Sequence, residues 1–394
     1  MPSLPVAIKP LPVMSPITEP HSFGRKLSMH ELRTGTALAL SGGGFRAALF
    51  HVGSLVRLNE LGLLSSLARV SSVSGGSITA GRLAVAWNRL RFENGVAANL
   101  TEEVVAPVRG FCGRDIDKRA VALGVLSPFR TIGDVLSDIY DDDLLENTSI
   151  QSLPDAPRFV FNATNLQTGR LFRISKPYMA DYRVGRIDAP DLPVARAVAA
   201  SSAFPPVLSP VTIDTSRMAW QRMGGADLYG DVRYRGVLQL TDGGAYDNLG
   251  LEAVDDFSVV LVSDAGAPFG FETNIDTSWL QQPLRALDIA TDQARGLRKR
   301  YLIDLAAVRQ QKVAYWGIDT AIAEYGLPDA LPTATAITQP LAHIRTRLDP
   351  FDGTEQALLI NWGYALADAA VRRFGPQADG PPPAWPDPAH RLDR

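Results

Sequence analysis

Cysteine is almost absent. Cys112 is the only one in 394 residues, so the chain has no internal disulfide and no thiolate cluster for a structural zinc. The fold must rest on packing, and a reducing compartment, the cytoplasm, is the expected location. Histidine is also scarce, with only His21, His30, His51, His343 and His390. Basic charge is not in excess: 39 Lys and Arg face 42 Asp and Glu, a formal net charge of −3. Non-specific nucleic-acid binding needs a broad positive field, so no nucleic-acid partner is expected. No stretch approaches the roughly 18 consecutive apolar residues of a membrane span. The opening MPSLPVAIKPLPV places prolines where a signal peptide would be continuously apolar. What the chain does have is 46% hydrophobic and 21% charged residues, the mixture of a globular protein with a sizeable core.

Proline marks the ends. Six of the 28 prolines lie in residues 1–20 and six more in 376–388, so 1–33 and 376–394 read as extended, weakly ordered tails. Between them, 34–375 shows no internal repeat, no Ser/Gly linker and no long run of like charge, which favours one large domain.

Periodicity places the elements. Thr36–Leu40 (TALAL) is a short apolar run stopped by glycines, a buried strand ending at a loop. Residues 45–62 carry Phe45, Ala48, Val52, Leu55 and Val56 at helical spacing, with Gly62 as a stop. Leu67–Val73 is a second strand, followed by a sharp turn and a helix over Ser77–Leu90. Strand, glycine loop, helix, strand, turn and helix make a parallel α/β unit. Further on, Arg158–Ala163 and Gly169–Ser175 form a hairpin and Pro193–Ser201 a helix. Val237–Leu240 and Ser258–Val262 are strands with Asp242 and Asp264 near their ends, where α/β folds place their sites. Long helices are expected over Thr277–Ala307 and Glu355–Arg373.

Three stretches carry chemistry. Gly42, Gly43 and Gly44 lie between a strand and a helix, so several N–H groups at a positive helix end can face an anion. A dinucleotide phosphate, an NTP phosphate and a transient oxyanion are all anions of that kind. Ala47 stands where a dinucleotide fingerprint needs its third glycine, and the Gly-Lys-Ser/Thr of a P-loop is missing. In Ser71–Ser77, a nucleophile on a strand-to-helix turn needs small residues two before and two after it. Ser74 has Ser72 and Gly76 there, which fits better than Ser72 or Ser77 would. The alternative is a Ser/Gly turn that caps the helix at Ser77. In the third stretch, Asp242-Gly243-Gly244 puts a carboxylate at a strand end with room beside it, as a base for Ser74 or as an ordinary turn. His343 is the other candidate base, in the Ser…Asp…His chain order of an α/β-hydrolase triad with Asp264 as orienter, whereas His51, inside the first helix, reads as a satisfied structural histidine.

Gly42-Gly43-Gly44-Phe45-Arg46, the Ser74 elbow and Asp242-Gly243-Gly244 together resemble the patatin-like phospholipases, with their G-G-G-x-R, G-x-S-x-G and D-G-G/A motifs in that order. Asn162–Gly169, Ala200–Pro206 and the extension Asp242–Gly250 are also similar to that family. The departures are Ala47, where a further glycine is common, and Ser72 in place of the first elbow glycine. Neither removes a catalytic group. The resemblance covers about 34–265. It implies a three-layer α/β/α fold with a mostly parallel central sheet, in which Ser74 attacks an ester and Asp242 acts as base and then acid. Gly42–Gly44 amides assisted by Arg46 would hold the oxyanion, with Ser72, Gly76, Gly243 and Gly244 shaping the motifs. No histidine, metal or cofactor is implied. The implied substrate is a phospholipid or other lipid ester, met by transient contact at a membrane surface. A Ser-His-Asp esterase using His343 and a non-catalytic lipid-binding module are the alternatives. Residues 270–375 read as a C-terminal helical part, and the stretch 270–394 as a lid or substrate cover. The basic cluster Arg295, Arg298, Lys299, Arg300 reads as a solvated helix face, and Trp279, Trp316 and Trp362 as core. Asn162-Ala163-Thr164 is formally a glycosylation acceptor.

Overall fold

The apolar run TALAL is buried on both of its faces, as a central parallel strand must be. In the computed structural model, which describes residues 31–125, 131–205, 208–275, 278 and 281–394, Leu38 and Leu40 join one hydrophobic cluster while Ala37 and Ala39 join another across the sheet. The strand is β1 (Arg33–Leu40). Next come α1 (Gly44–Glu60), β2 (Leu67–Val73) and α2 (Gly75–Ala86), the expected parallel unit. A short ribbon of β3 (Phe92–Glu93) and β4 (Val96–Ala97) leads to α3 (Ala106–Cys112), α4 (Ile116–Val125) and α5 (Ile132–Tyr140). The hairpin β5 (Arg158–Asn165) and β6 (Arg170–Ser175) continues into β7 (Tyr178–Asp181) and β8 (Gly185–Asp188). Then follow α6 (Val194–Ser202), β9 (Val211–Asp214), β10 (Trp220–Gln221), β11 (Val237–Asp242), α7 (Gly244–Asp247) and β12 (Phe257–Asp264). The chain closes with α8 (Gln281–Arg309), β13 (Lys312–Gly317), α9 (Thr335–Ala342) and α10 (Gly353–Phe374).

Strands run β10-β8-β7-β6-β5-β2-β1-β12-β13, with β11 on β5 and β9 on β11. The central strands β5, β2, β1, β12 and β13 are parallel to one another, whereas β6 and β11 pair with β5 antiparallel and the strands beyond β6 continue antiparallel. Helices cover both faces. The cluster containing Leu38 and Leu40 includes Phe45 and Leu49 of α1, Ile78 of α2 and Leu359 of α10. On the opposite face Val260, Val262, Leu251 and Val254 meet Leu302 of α8. Leu32–Arg394 form one compact unit.

The part after residue 270 differs from the expected helical cover. It contributes β13, a parallel strand beside β12, and α10, which lies against α1 almost backbone to backbone. A Cβ on Gly53 would collide with the Ile360 carbonyl, and one on Gly363 with that of Phe50. The pair Arg57–Asp368, 2.8 Å apart and 1% exposed on each side chain, sits on the same contact. Trp316 and Trp362 are core residues; Trp279 lies outside the described residues. The proline-rich 376–394 is extended but firmly held, which revises the reading of weak order. Asn361 donates to the carbonyls of Asp387 (2.8 Å) and His390 (2.7 Å), and Trp385 and Leu392 are buried. Prolines keep such a segment extended without ladder bonds, so a few anchors suffice. Residues 1–30 of the other expected tail lie outside the described residues.

Gly363→Ala is expected to destabilise the protein by about 1–3 kcal/mol through overpacking. Gly110→Ala in α3, where an added Cβ meets nothing within 4 Å, should be neutral or slightly stabilising. Chemical denaturation of the two variants checks the contrast.

Candidate active site

Strand β5 brings two motifs together. Its edge pairs first with β2, in parallel, ending at Val73 opposite Asn162. The same edge then pairs with β11, antiparallel, ending at Asp242 opposite Ala163. Two strands of opposite sense thus share one edge and meet C-terminus to C-terminus, so Ser74 and Asp242 abut although 168 positions apart in sequence. The Ser201 carbonyl closes the gap by accepting from both Ser74 N–H (3.1 Å) and Gly243 N–H (3.1 Å). Ser201 Oγ also accepts from Ser74 N–H (3.1 Å) and donates to the Asn162 carbonyl (2.6 Å). Asp242 N–H is bound to the Ala203 carbonyl at 3.0 Å.

Ser74 occupies the elbow expected of a nucleophile. Its φ of 51° and ψ of −123° are unfavourable for a residue with a Cβ, and such strain is characteristic of a serine on a strand-to-helix turn. Crowding explains the following glycine. A Cβ on Gly76 would lie 2.6 Å from the Ser41 carbonyl. Ser72 is accommodated because its hydroxyl, buried, finds Ser77 Oγ at 2.9 Å.

The glycine loop is tied to the other two motifs at one peptide group. The Ser41 carbonyl accepts from Gly76 N–H of the elbow (3.1 Å), and Gly42 N–H donates to the Asn248 carbonyl of the Asp242 loop (3.0 Å). Gly42 therefore differs from the expected oxyanion donor: its N–H is already used. Arg46 differs as well. It is buried, and its guanidinium donates to the carbonyls of Ala265 (2.8 Å), Ala342 (3.1 Å) and Ile344 (2.7 Å), clamping the loop to two neighbouring segments. Among the described residues the N–H groups of Gly43, Gly44 and Gly75 have no acceptor. Gly44 and Gly75 begin α1 and α2 and touch through their backbones. Two positive helix ends converge beside Ser74. The residue following an elbow nucleophile supplies an N–H in comparable sites, and by that rule Gly75 was legible in the sequence.

Asp242 is buried, and desolvation pushes its carboxyl up from 3.8 to about 6, opposed by hydrogen bonds from the Ser74 side chain and from Gly244 N–H (2.7 Å). A buried carboxylate set end to end with a strained serine, beside free N–H donors, has the parts of an acyl-transfer site. Gly243 lies flat against the Asn162 backbone, and the Asn248 side-chain oxygen crowds both Gly42 and Gly244.

Asp264 does not orient His343. His343 is exposed, and Asp264 is engaged by Gly266 N–H (2.8 Å), the Tyr315 hydroxyl (2.6 Å) and Arg295 (3.4 Å). The basic cluster on α8 also departs from a solvated face. Arg298 turns inward to Glu252 (3.0 Å) and Asp247 (3.7 Å), as Arg295 does to Asp264. Asn162 is wholly buried and bonded to Ser71 and Ser72, which makes it inaccessible to a glycan. Among the described residues no three His, Cys, Asp or Glu side chains are placed to hold a metal ion, and no helix is long and apolar enough to cross a membrane. Of the Ala200–Pro206 segment, Pro206 lies outside the described residues.

The sequence model of a family described as patatin-like phospholipase matches residues 38–255. No curated protein matches the chain in sequence. Among solved structures, human GIVD cytosolic phospholipase A2 is similar at 12% identity and a TM-score of 0.50, over 86% of this chain and 59% of its own. The chain thus spans about three-fifths of that protein's length. The same human protein in complex with methyl gamma-linolenyl fluorophosphonate and terbium chloride gives 13% identity, a TM-score of 0.49, and coverage of 85% and 57%. VipD from Legionella pneumophila gives 14% identity, a TM-score of 0.35, and coverage of 87% and 67%. At such identities the likeness is one of fold.

A folded Asp242 that holds its proton up to about pH 6, against about 3.9 when unfolded, binds more protons in the native state between those values. Stability contributed by this group therefore falls as pH rises through that window. Asp242→Asn should be more stable than the wild type at pH 7, by about 3 kcal/mol, with the difference vanishing toward pH 4. Thermal denaturation of both proteins from pH 4 to 8 checks it.

Proposed function

This chain belongs to the patatin-like phospholipase family, and from that premise we propose that it is a lipid acyl hydrolase working through a Ser74–Asp242 dyad. The observation that carries the reading is the divided edge of β5, which sets Ser74 and the buried Asp242 end to end and is bridged by the Ser201 carbonyl between Ser74 N–H and Gly243 N–H. In the proposed reaction the Asp242 carboxylate takes the Ser74 Oγ proton as the oxygen attacks the ester carbonyl carbon. The resulting oxyanion accepts hydrogen bonds from Gly43, Gly44 and Gly75. Each such donor is worth about 10²–10³ in rate in comparable sites. Collapse of the tetrahedral species breaks the carbon–oxygen bond, Asp242 returns its proton to the leaving alcohol, and Ser74 keeps the acyl group. Water, deprotonated by Asp242, then attacks the acyl-serine and releases the fatty acid, restoring both residues.

Family membership supports a lipid ester as substrate, and exposed apolar side chains near the dyad support approach at a membrane surface. Phe204 directly follows the Ala203 that holds Asp242, and Leu166 caps the β5–β6 turn beyond the site; both are exposed. The proposed catalytic unit is 34–375, with C-terminal β13 and α10 inside it.

Purified protein should release fatty acid from phospholipid vesicles or a chromogenic ester, with kcat rising with pH to a plateau and an apparent pKa near the Asp242 value of about 6. Ser74→Ala should lower the rate by about 10³-fold or more and abolish labelling by a fluorophosphonate. Asp242→Asn should lose the rate and the pH dependence together. A Ser74→Ala protein that turns over normally would overturn the dyad.

A further inference from the structure

The buried histidine of α1 has no part in the proposed chemistry, yet it touches the peptide group on which all three motifs converge. His51 is fully buried, with Nε2 2.9 Å from the Ser41 carbonyl and Nδ1 2.8 Å from Ser263 Oγ. A carbonyl only accepts, so Nε2 carries the hydrogen and Nδ1 accepts from the Ser263 hydroxyl. Ser263 Oγ in turn lies 3.1 Å from Ser54 Oγ, which accepts from Trp316 Nε1 at 2.9 Å. The chain of bonds thus runs from the edge strand β13, through α1 and β12, to the glycine loop. Burial pushes the imidazole down to about 4, so it is a neutral donor at any pH where Asp242 is ionised.

We propose that His51 is a positioning residue for the oxyanion site: its Nε2–H fixes the orientation of the Ser41–Gly42 peptide, and through it the direction of the Gly43, Gly44 and Gly75 N–H groups. Among the described residues the Ser41 carbonyl otherwise accepts only from Gly76 N–H, and the same peptide's N–H donates to the Asn248 carbonyl. Among the described residues His51 is therefore the one side chain that bonds the carbonyl joining the glycine loop to the elbow. Without it the peptide is held by those two backbone bonds alone and tilts more readily, and the loop amides tilt with it. Misplacement by a fraction of an ångström affects the transition state more than the ground state, because donors must match the developing oxyanion. The inference rests on the proposed hydrolysis for its kinetic readout, and on geometry alone for its structural one.

The test compares His51→Leu, which removes the donor, with His51→Gln, which keeps an N–H near the Nε2 place. Ester hydrolysis by folded His51→Leu is expected to show kcat about fivefold or more below wild type with KM within about twofold, and His51→Gln to recover most of the loss. Amide hydrogen exchange is the second readout. Gly42 and Gly76 N–H should exchange faster in His51→Leu than in wild type, while amides in the middle of α10 do not change. Should His51→Leu fail to fold, Ser263→Ala, which removes the donor that orients the ring, is expected to show the same pattern more weakly. A kcat within fivefold of wild type in the folded Leu variant, a Gln variant as slow as Leu, or unchanged Gly42 and Gly76 exchange overturns the proposal. Wild-type protein that hydrolyses no ester overturns the hydrolase reading instead, and the exchange data then decide the role of His51.

Discussion

The site depends on how one edge of β5 is divided. For its first residues that edge belongs to β2, and for its last it belongs to β11. The two strands run in opposite senses, so their carboxyl ends point at each other. Because the register is set by backbone ladders, the distance between Ser74 and Asp242 is not left to side-chain packing. A slip of one residue in either pairing would turn the relevant side chain to the other face of the sheet. The Ser201 carbonyl makes such a slip costly, since both Ser74 N–H and Gly243 N–H are satisfied by it, and a buried N–H left unpaired costs about 1–3 kcal/mol.

Around that junction the chain accepts local costs. Ser74 is held in a conformation that residues with a Cβ avoid. Asp242 is buried without a cationic partner among the groups that shift it, and hydrogen bonds from Ser74 and Gly244 offset only part of the desolvation. These features destabilise the fold and at the same time poise a carboxylate to take a proton near neutral pH. The surrounding order is what sustains them: a core buried on both faces of β1, and an α1–α10 contact so close that glycine is required on each helix.

Much of this was legible in the residues. TALAL, the glycine loop, LARVSSV and the elbow declare a parallel unit because a strand buried on both faces is continuously apolar and a strand-to-helix turn demands small residues. Asp242 was legible as a carboxylate at a strand end. The sense of β11 was not, since VLQLTD reads equally as parallel or antiparallel, and only that sense explains why Asp242 meets Ser74. Strands such as β7 and β10, of four and two residues, are too short to show a period. Gly42 and Arg46 were assigned by motif to the oxyanion, but a motif does not reveal which N–H groups are already bonded. Long-range acceptors such as Asn248, Ala265 and Ile344 decide that. His51 was rightly read as satisfied. Its acceptor, which gives it significance, lies on the glycine loop and is invisible to a helical pattern.

The same bonds explain why the part beyond residue 270 belongs to the site although the motifs end before it. Arg46, in the glycine loop's own helix, spends its guanidinium on Ala342 and Ile344 as well as on Ala265. The Thr346 backbone lies so close to Gly44 that no side chain fits there. Trp316 of β13 begins the hydrogen-bond chain that ends on the Ser41 carbonyl, and α10 holds α1 in place from the other side. In the proposed reaction the C-terminal segments therefore act as a brace. They fix two helix N-termini at the point where an oxyanion would form, and a donor's value to a transition state depends on its being held there before the charge appears.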